Sequence, residues 1–354
     1  MSESASDIGS RKSDHLELAI SGDVGFRRTS LFEQVTLVHN SLPELRYADL
    51  DLKTRVADLT LKSPIMISAM TGGTLATGAV NRQLAEVAEE GGYAIGLGSQ
   101  RAMVAGGRVD PKIGASYQLR AEAPHTPILG NLGVVQAASM STALVEDMIG
   151  FVDANALCLH MNPAQELMQP EGDRDFIGCL DGIARLANEL SVPVIIKETG
   201  CGVSRELGDR LVQRGVKHLD VAGAGGTSWV GVEARRNPHD DGGSGDLFWD
   251  WGIPTAASVI QVKSCGFSTV IASGGIKNGL DVARAVALGA HAAGIARPVL
   301  QALSRDGRSG ALAFLRKVES DLKMAMLLCG VRDLKGLQTA PRHLGPELLS
   351  WSNV

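Results

Sequence analysis

Eight apolar runs of strand length constrain what this 354-residue chain can fold into. They are PIMISAM (64–70), YAIGLGS (93–99), PILGNLG (127–133), ALCLHMN (156–162), PVIIKETG (193–200), HLDVAGAGG (218–226), TVIASGG (269–275) and AAGIARP (292–298). Helix-like segments lie between many of them, for example 81–92, 142–153, 176–190, 205–215 and 279–289. The last has apolar residues at Leu280, Val282, Ala283, Val286, Ala287 and Leu288, close to a 3.6-residue stripe, and stops at Gly289. Strands alternating with helices pair in parallel through right-handed crossovers. An open doubly wound sheet would use fewer strands, and the usual GxGxxG after the first strand is missing. The pattern therefore predicts an α/β fold, a (β/α)8 TIM barrel with an N-terminal extension. It divides the chain into an N-terminal segment and barrel cap (1–63), the barrel (64–330) and a tail (331–354) that carries no motif. Within the first, 31–62 reads as a hairpin or cap closing the barrel bottom.

Composition excludes several classes. A net charge of −5 without a Lys/Arg-rich run argues against a nucleic-acid or anionic-membrane binder. No apolar stretch reaches the ~18 residues of a membrane span. Five cysteines, an odd number with no CxxC, and a polar start predict a reducing, cytoplasmic setting. Cys158 and Cys201 are possible nucleophiles, although small buried thiols are the simpler reading. Glycine is the unusual count, 42 residues against a usual share of ~7%, which suits tight loops that bring backbone close to a ligand.

In this fold the active site lies at the C-terminal mouth, so the strand ends are the candidates. Ser273-Gly274-Gly275-Ile276 and Ala296-Arg297-Pro298 end strands seven and eight, where barrels hold phosphate on N–H groups and a helix N-terminus; a bare tight turn is the alternative. Ser68 to Gly73 would let a flat ring lie against backbone. With Ser99, Asn131 and Lys197 at other strand ends, the set suits FMN, Lys197 facing the electron-rich edge of the reduced ring. A barrel-core ion pair is the alternative for that lysine. Strand four read with period two puts Cys158, His160 and Asn162 on one face, a polar face that costs stability unless partnered. Gln165 and Glu166 follow, and the group suits a hydrated Mg2+ and a diphosphate better than Zn2+. Arg11, Lys12 and Arg101 would neutralise that diphosphate if the N-terminal tail folds over the opening. The long segment 227–256 holds Trp229, Trp249 and Trp251 and reads as a lid or a subunit interface.

RKSDH (11–15), SAMTGG (68–73), GSQR (98–101), GNLG (130–133), LHMNPAQE (159–166), KETGCG (197–202), DVAGAGGTSW (220–229), DWGIPTA (250–256) and SGGIKNGLD (273–281) together resemble the type 2 isopentenyl-diphosphate delta-isomerases. SGGI and KETG fit flavin barrels in general; RKSDH with HMNPAQE is the specific part. The resemblance implies conversion of isopentenyl diphosphate to dimethylallyl diphosphate by reduced FMN and Mg2+, with NADPH or NADH as reductant. It implies FMN contacts from Ala69, Met70, Thr71, Ser99, Asn131, Lys197, Thr227, Gly274, Gly275, Ala296 and Arg297. Substrate contacts would come from Arg11, Lys12, Ser99, Gln100, Arg101, His160, Gln165 and Trp229, with His160, Gln165 and Lys197 catalytic and Glu166 binding the metal. A prenyl diphosphate is the expected partner, without nucleic acid or membrane insertion, and a homo-oligomer (tetramer or octamer) is expected. Two other readings compete. A flavin-dependent 2-hydroxy-acid oxidase would need a His at a late strand end, where this chain has none. A non-catalytic flavin sensor would not need the diphosphate-gripping cations.

Overall fold

The computed structural model describes residues 12, 14–20, 22–237 and 243–352. Eight parallel strands close into a barrel in chain order. They are β1 (Ile65–Ile67), β2 (Ala94–Gly96), β3 (Ile128–Gly133), β4 (Ala156–His160), β5 (Val194–Lys197), β6 (His218–Asp220), β7 (Thr269–Ser273) and β8 (Ala292–Ile295). Each falls inside one of the eight apolar runs.

Helix ends follow local chemistry. Helix α1 (Leu75–Gly91) begins where Thr74 and Thr77 exchange side-chain and backbone hydrogen bonds, and stops at Gly92, whose φ of 73° only glycine adopts cheaply. After β4 comes α2 (Pro163–Met168), opened by a proline at its first turn, and after β6 comes α3 (Trp229–Arg236), capped by Ser228. Helix α4 (Gly279–Leu288) is capped by Asn278, and α5 (Arg297–Leu328) follows β8 with a break at Gly307. One crossover departs from the alternation. Between β2 and β3 the chain makes only short turns and a two-residue ribbon, with no helix longer than Pro111–Gly114.

The barrel interior is layered. Met66, Ala94, Leu129, Ala156, Cys158, Ile195, Ile271 and Ala292 form one cluster, while Leu157 and Leu159 pack outward against the helices. The period-two reading of strand four is the observed one. Val56, Ala57 and Leu61 join the inner cluster from an antiparallel hairpin (Thr54–Val56 with Leu59–Leu61). That hairpin is fastened to the strand beginnings: the Thr54 hydroxyl donates to the His291 carbonyl at 2.9 Å, and the Ala57 N–H to Thr269 Oγ1 at 3.3 Å. The N-terminal segment therefore caps the bottom. The tail is tied to the same segment, since Arg342–Leu344 pairs antiparallel with Val35–Leu37.

Residues 14–20 are helical and lie at the opposite end. Arg297 Nε donates to the Ala19 carbonyl at 2.9 Å and Gln301 Nε2 to the Ile20 carbonyl at 3.1 Å. Backbone bonds from Phe26 to Gly226 and from Ser228 to Val24 continue the seam. One chain end thus touches both ends of the barrel.

Candidate active site

A cavity of about 570 Å³ opens at the C-terminal mouth beneath the N-terminal helix. Its charged lining is lopsided: among the described residues Lys12, Arg101, Lys197, Lys277 and Arg297 face it against one carboxylate, Glu166. In a chain of net charge −5, that excess marks a site for an anion.

The strand register builds the floor. His160, Lys197 and Asp220 are neighbours across β4, β5 and β6. The Lys197 amine donates to the Glu198 carbonyl at 2.5 Å. His160 Nδ1 lies 2.9 Å from Asn131 Oδ1, so that nitrogen carries the proton and Nε2 keeps its lone pair. Burial, then Lys197 and Lys12, lowers His160 to about 3, which leaves a neutral imidazole.

Glu233 organises the far wall. It is fully buried on α3 and accepts from Gln165 Nε2 at 3.2 Å, Gln169 Nε2 at 2.7 Å and Arg236 Nε at 2.8 Å. His15 Nε2 from the N-terminal helix lies 2.8 Å away, and the His15 ring meets Trp229 edge-on. Burial opposes ionisation of Glu233, but His15 and Arg236 outweigh it and hold the group at about 2. Nearby, Asn162 Nδ2 donates to Glu166 Oε1 at 2.8 Å and the Asp173 N–H to Glu166 Oε2 at 2.8 Å. Glu198, also buried, accepts from the N–H groups of Thr199, Gly200 and Cys201, fixing the loop after β5. Burial pushes it up to about 7 against those donors.

The residues fit a flavin nucleotide. Thr71 lines the cavity, and its hydroxyl is buried with no partner among the described residues. Gly274 and Gly275 both have positive φ, and a Cβ there would meet the carbonyls of Gly223 at 2.0 Å and Gly225 at 2.7 Å. Backbone from the β6 and β7 loops thus forms a cradle that side chains would fill. A metal fits more loosely. Among the described residues no three His, Cys, Asp or Glu side chains are grouped to hold an ion, so Glu166 would share it with substrate and water, as Mg2+ tolerates.

Most of the residues singled out in the sequence share this cavity: Lys12, Ala69, Met70, Thr71, Ser99, Arg101, Asn131, His160, Gln165, Glu166, Lys197, Thr227, Trp229, Gly274, Gly275, Ala296 and Arg297 all line it. Gln100 does not join them. It is buried at 1% exposure, and its Oε1 accepts the Asn131 N–H at 2.8 Å, so it props β3 from behind. Arg11 lies outside the described residues. The described part of the 227–256 segment divides in two. Its first part is α3 against α2, Trp249 is buried with Nε1 donating to the Gly25 carbonyl, and Trp251 is 62% exposed beside Phe248. Cys158 is an inert thiol of the core, pushed up to about 12 by burial.

The family model for FMN-dependent dehydrogenases matches residues 160–344. The chain is 42% identical to an isopentenyl-diphosphate delta-isomerase of Metallosphaera sedula, over 96% of this chain and 94% of that protein. It is 44% identical to one of Methanosarcina mazei, over 94% and 90%. The chain belongs to the type 2 isopentenyl-diphosphate delta-isomerases. A solved mandelate oxidase with (S)-2-phenylpropionate superposes with a TM-score of 0.64 at 18% identity, covering 98% of this chain and 99% of that one; it shares the barrel. In this isomerase the only His on β6 is His218. It sits at the bottom, buried beside Asp58 of the hairpin, far from any role at the mouth. No helix among the described residues is long and apolar enough to cross a membrane.

Proposed function

We propose that this isomerase converts isopentenyl diphosphate to dimethylallyl diphosphate with reduced FMN and Mg2+, NADPH or NADH supplying the electrons. The observation that carries the reading is the single cavity with five Lys/Arg side chains and Glu166 on its wall. Shifting the double bond adds a proton at one carbon and removes one two carbons away, so charge develops on the hydrocarbon between. When bound, reduced FMN supplies an electron-rich face and a proton-transfer position beside that charge.

The chain's own residues divide the remaining work. Gly274, Gly275 and Ala296, together with the start of α5, suit the cofactor phosphate, and Thr71, Asn131 and Lys197 its ring. Arg297 already binds the N-terminal segment through Nε, so it joins that segment to the phosphate end. Lys12 and Arg101 hold the diphosphate, and Glu166 holds its Mg2+. Lys12 now donates to the Ser99 carbonyl at 2.9 Å and to the Tyr117 hydroxyl, partners that an incoming diphosphate would share or replace. Gln165 is kept in one orientation by Glu233, and Trp229 walls the prenyl end, so the reacting carbons are placed and water is kept out. A neutral His160 neither protonates the hydrocarbon directly nor adds charge to the floor.

We also propose a cytoplasmic homo-oligomer, a tetramer or octamer; five free thiols and the exposed pair Phe248 and Trp251 support this. The test is anaerobic incubation of FMN-loaded, reduced protein with isopentenyl diphosphate and Mg2+, followed by product analysis. Dimethylallyl diphosphate is the expected product. Recovery of unchanged substrate, with full flavin and metal present, would overturn the reading.

A further inference from the structure

The mechanism above gives no task to the buried acid Asp220. Asp220 ends β6, is 6% exposed and does not line the cavity, yet Lys197, Ala222 and Ser273 around it do. Lys197 is its register partner on β5, so both side chains point inward from adjacent strands. The Ser273 hydroxyl of β7 donates to Asp220 Oδ1 at 2.6 Å. The Ala222 N–H donates to the same oxygen at 3.1 Å.

Ala222 matters because its φ is 36°, a conformation that residues with a Cβ rarely adopt. Such a residue persists only where its surroundings hold it. Here the holders are the Asp220 carboxylate on its N–H and the Gly202 N–H on its carbonyl at 3.2 Å. Ala222 leads directly into Gly223, whose carbonyl packs under Gly274. One carboxylate therefore braces two loop ends of the cradle and stands beside the cation of the floor.

We propose that Asp220 is a positioning residue for the cofactor: its buried charge balances Lys197, and its Oδ1 clamps Ala222 and Ser273 into the cavity wall. The clamp sets the shape of the site. The charge sets how strongly Lys197 favours an electron-rich ring, because a negative group behind the lysine weakens its pull. The inference rests on the reading that the cavity holds FMN.

Two variants separate the two roles. Asp220→Asn keeps an oxygen that accepts from Ala222 and Ser273 and removes only the charge, whereas Asp220→Ala removes both. The readouts are FMN affinity, by fluorescence quenching, and the midpoint potential of the bound flavin. Asp220→Asn is expected to bind FMN within about threefold of the native protein and to shift the potential positive, since the reduced ring loses a repelling charge. Asp220→Ala is expected to weaken FMN binding roughly tenfold or more. An unchanged potential in Asp220→Asn would overturn the counter-charge role, because a purely structural acid leaves the potential where it was. Native affinity in Asp220→Ala would overturn the clamp. Should Asp220→Ala not fold, Ser273→Ala replaces it, with an expected loss of about threefold and native affinity as the contrary result. Failure of the native protein to bind FMN at all would instead strike the functional reading.

Discussion

The two ends of the barrel are made from the same eight strands and differ in nearly everything else. At the bottom, Val56, Ala57 and Leu61 of the hairpin close an apolar plug against Met66, Ala94 and Ala292. At the mouth, the next inward positions are His160, Lys197 and Asp220, and the space above them is open. Each end has a histidine whose pKa desolvation lowers, but His160 faces the cavity while His218, buried, faces the hairpin. The comparison teaches that one strand can serve stability at its start and chemistry at its end. Two residues, Ile195 and Lys197, are enough to cross from one regime to the other.

Substitutions at the two ends should therefore move different observables. The largest effect is expected at the mouth: Lys197→Ala should lower turnover by roughly 10²–10³-fold and weaken flavin retention. Full flavin occupancy with normal turnover would break the comparison at its strongest point. The bottom should behave inversely. Leu61→Ala, at a fully packed site, is expected to cost about 2–5 kcal/mol in denaturant unfolding while kcat of the surviving folded protein stays native. A smaller effect belongs to the rim: Glu166→Gln should raise the Mg2+ concentration for half-maximal rate roughly 10–100-fold. Metal titrations that coincide with the native curve would remove Glu166 from the site.

The smallest prediction concerns pH. His160 has a folded value of about 3 against 6.5, so below 6.5 the unfolded chain binds the proton and the folded one does not. Its contribution to stability is complete above about pH 6.5 and is lost as pH falls towards 3, at no more than about 1.4 kcal/mol per pH unit. Between pH 7 and 5 Glu198, raised to about 7, contributes the opposite slope, so the test is the difference between the two proteins: relative to the native protein, His160→Gln should gain stability on acidification from pH 7 to 5. An identical slope in the variant would place the titrating group elsewhere, His218 being the next candidate.

Much of this was legible in the sequence because the strands announce themselves. A barrel strand buried on both faces must be an apolar run, and a polar residue breaking the run at its end must face something; Lys197 and His160 were found that way. Asp220 in HLDVAG carries the same signal, an acid interrupting a buried run, and was not singled out. Glu233 was hidden for another reason. It lies in the long segment after β6, where the tryptophans dominated, and nothing local signals that an acid on α3 meets Gln165 from α2 across the mouth. Gln100 stands between Ser99 and Arg101, which line the cavity, yet is buried behind β3, and nothing in the sequence separates it from those neighbours. The missing helix between β2 and β3 follows similar logic: short turns there leave room for Tyr117, which is fully buried against Gly72 and holds Lys12 at the mouth.

The proposal that a flavin and a prenyl diphosphate share one cavity, with Lys197 on one side and Glu166 on the other, is tested directly by the flavin's colour. Isopentenyl diphosphate titrated into FMN-loaded protein with Mg2+ should perturb the flavin absorption spectrum saturably, and Glu166→Gln should shift that titration to higher concentration. A spectrum that stays unchanged while substrate demonstrably binds would mean that the two molecules occupy separate places.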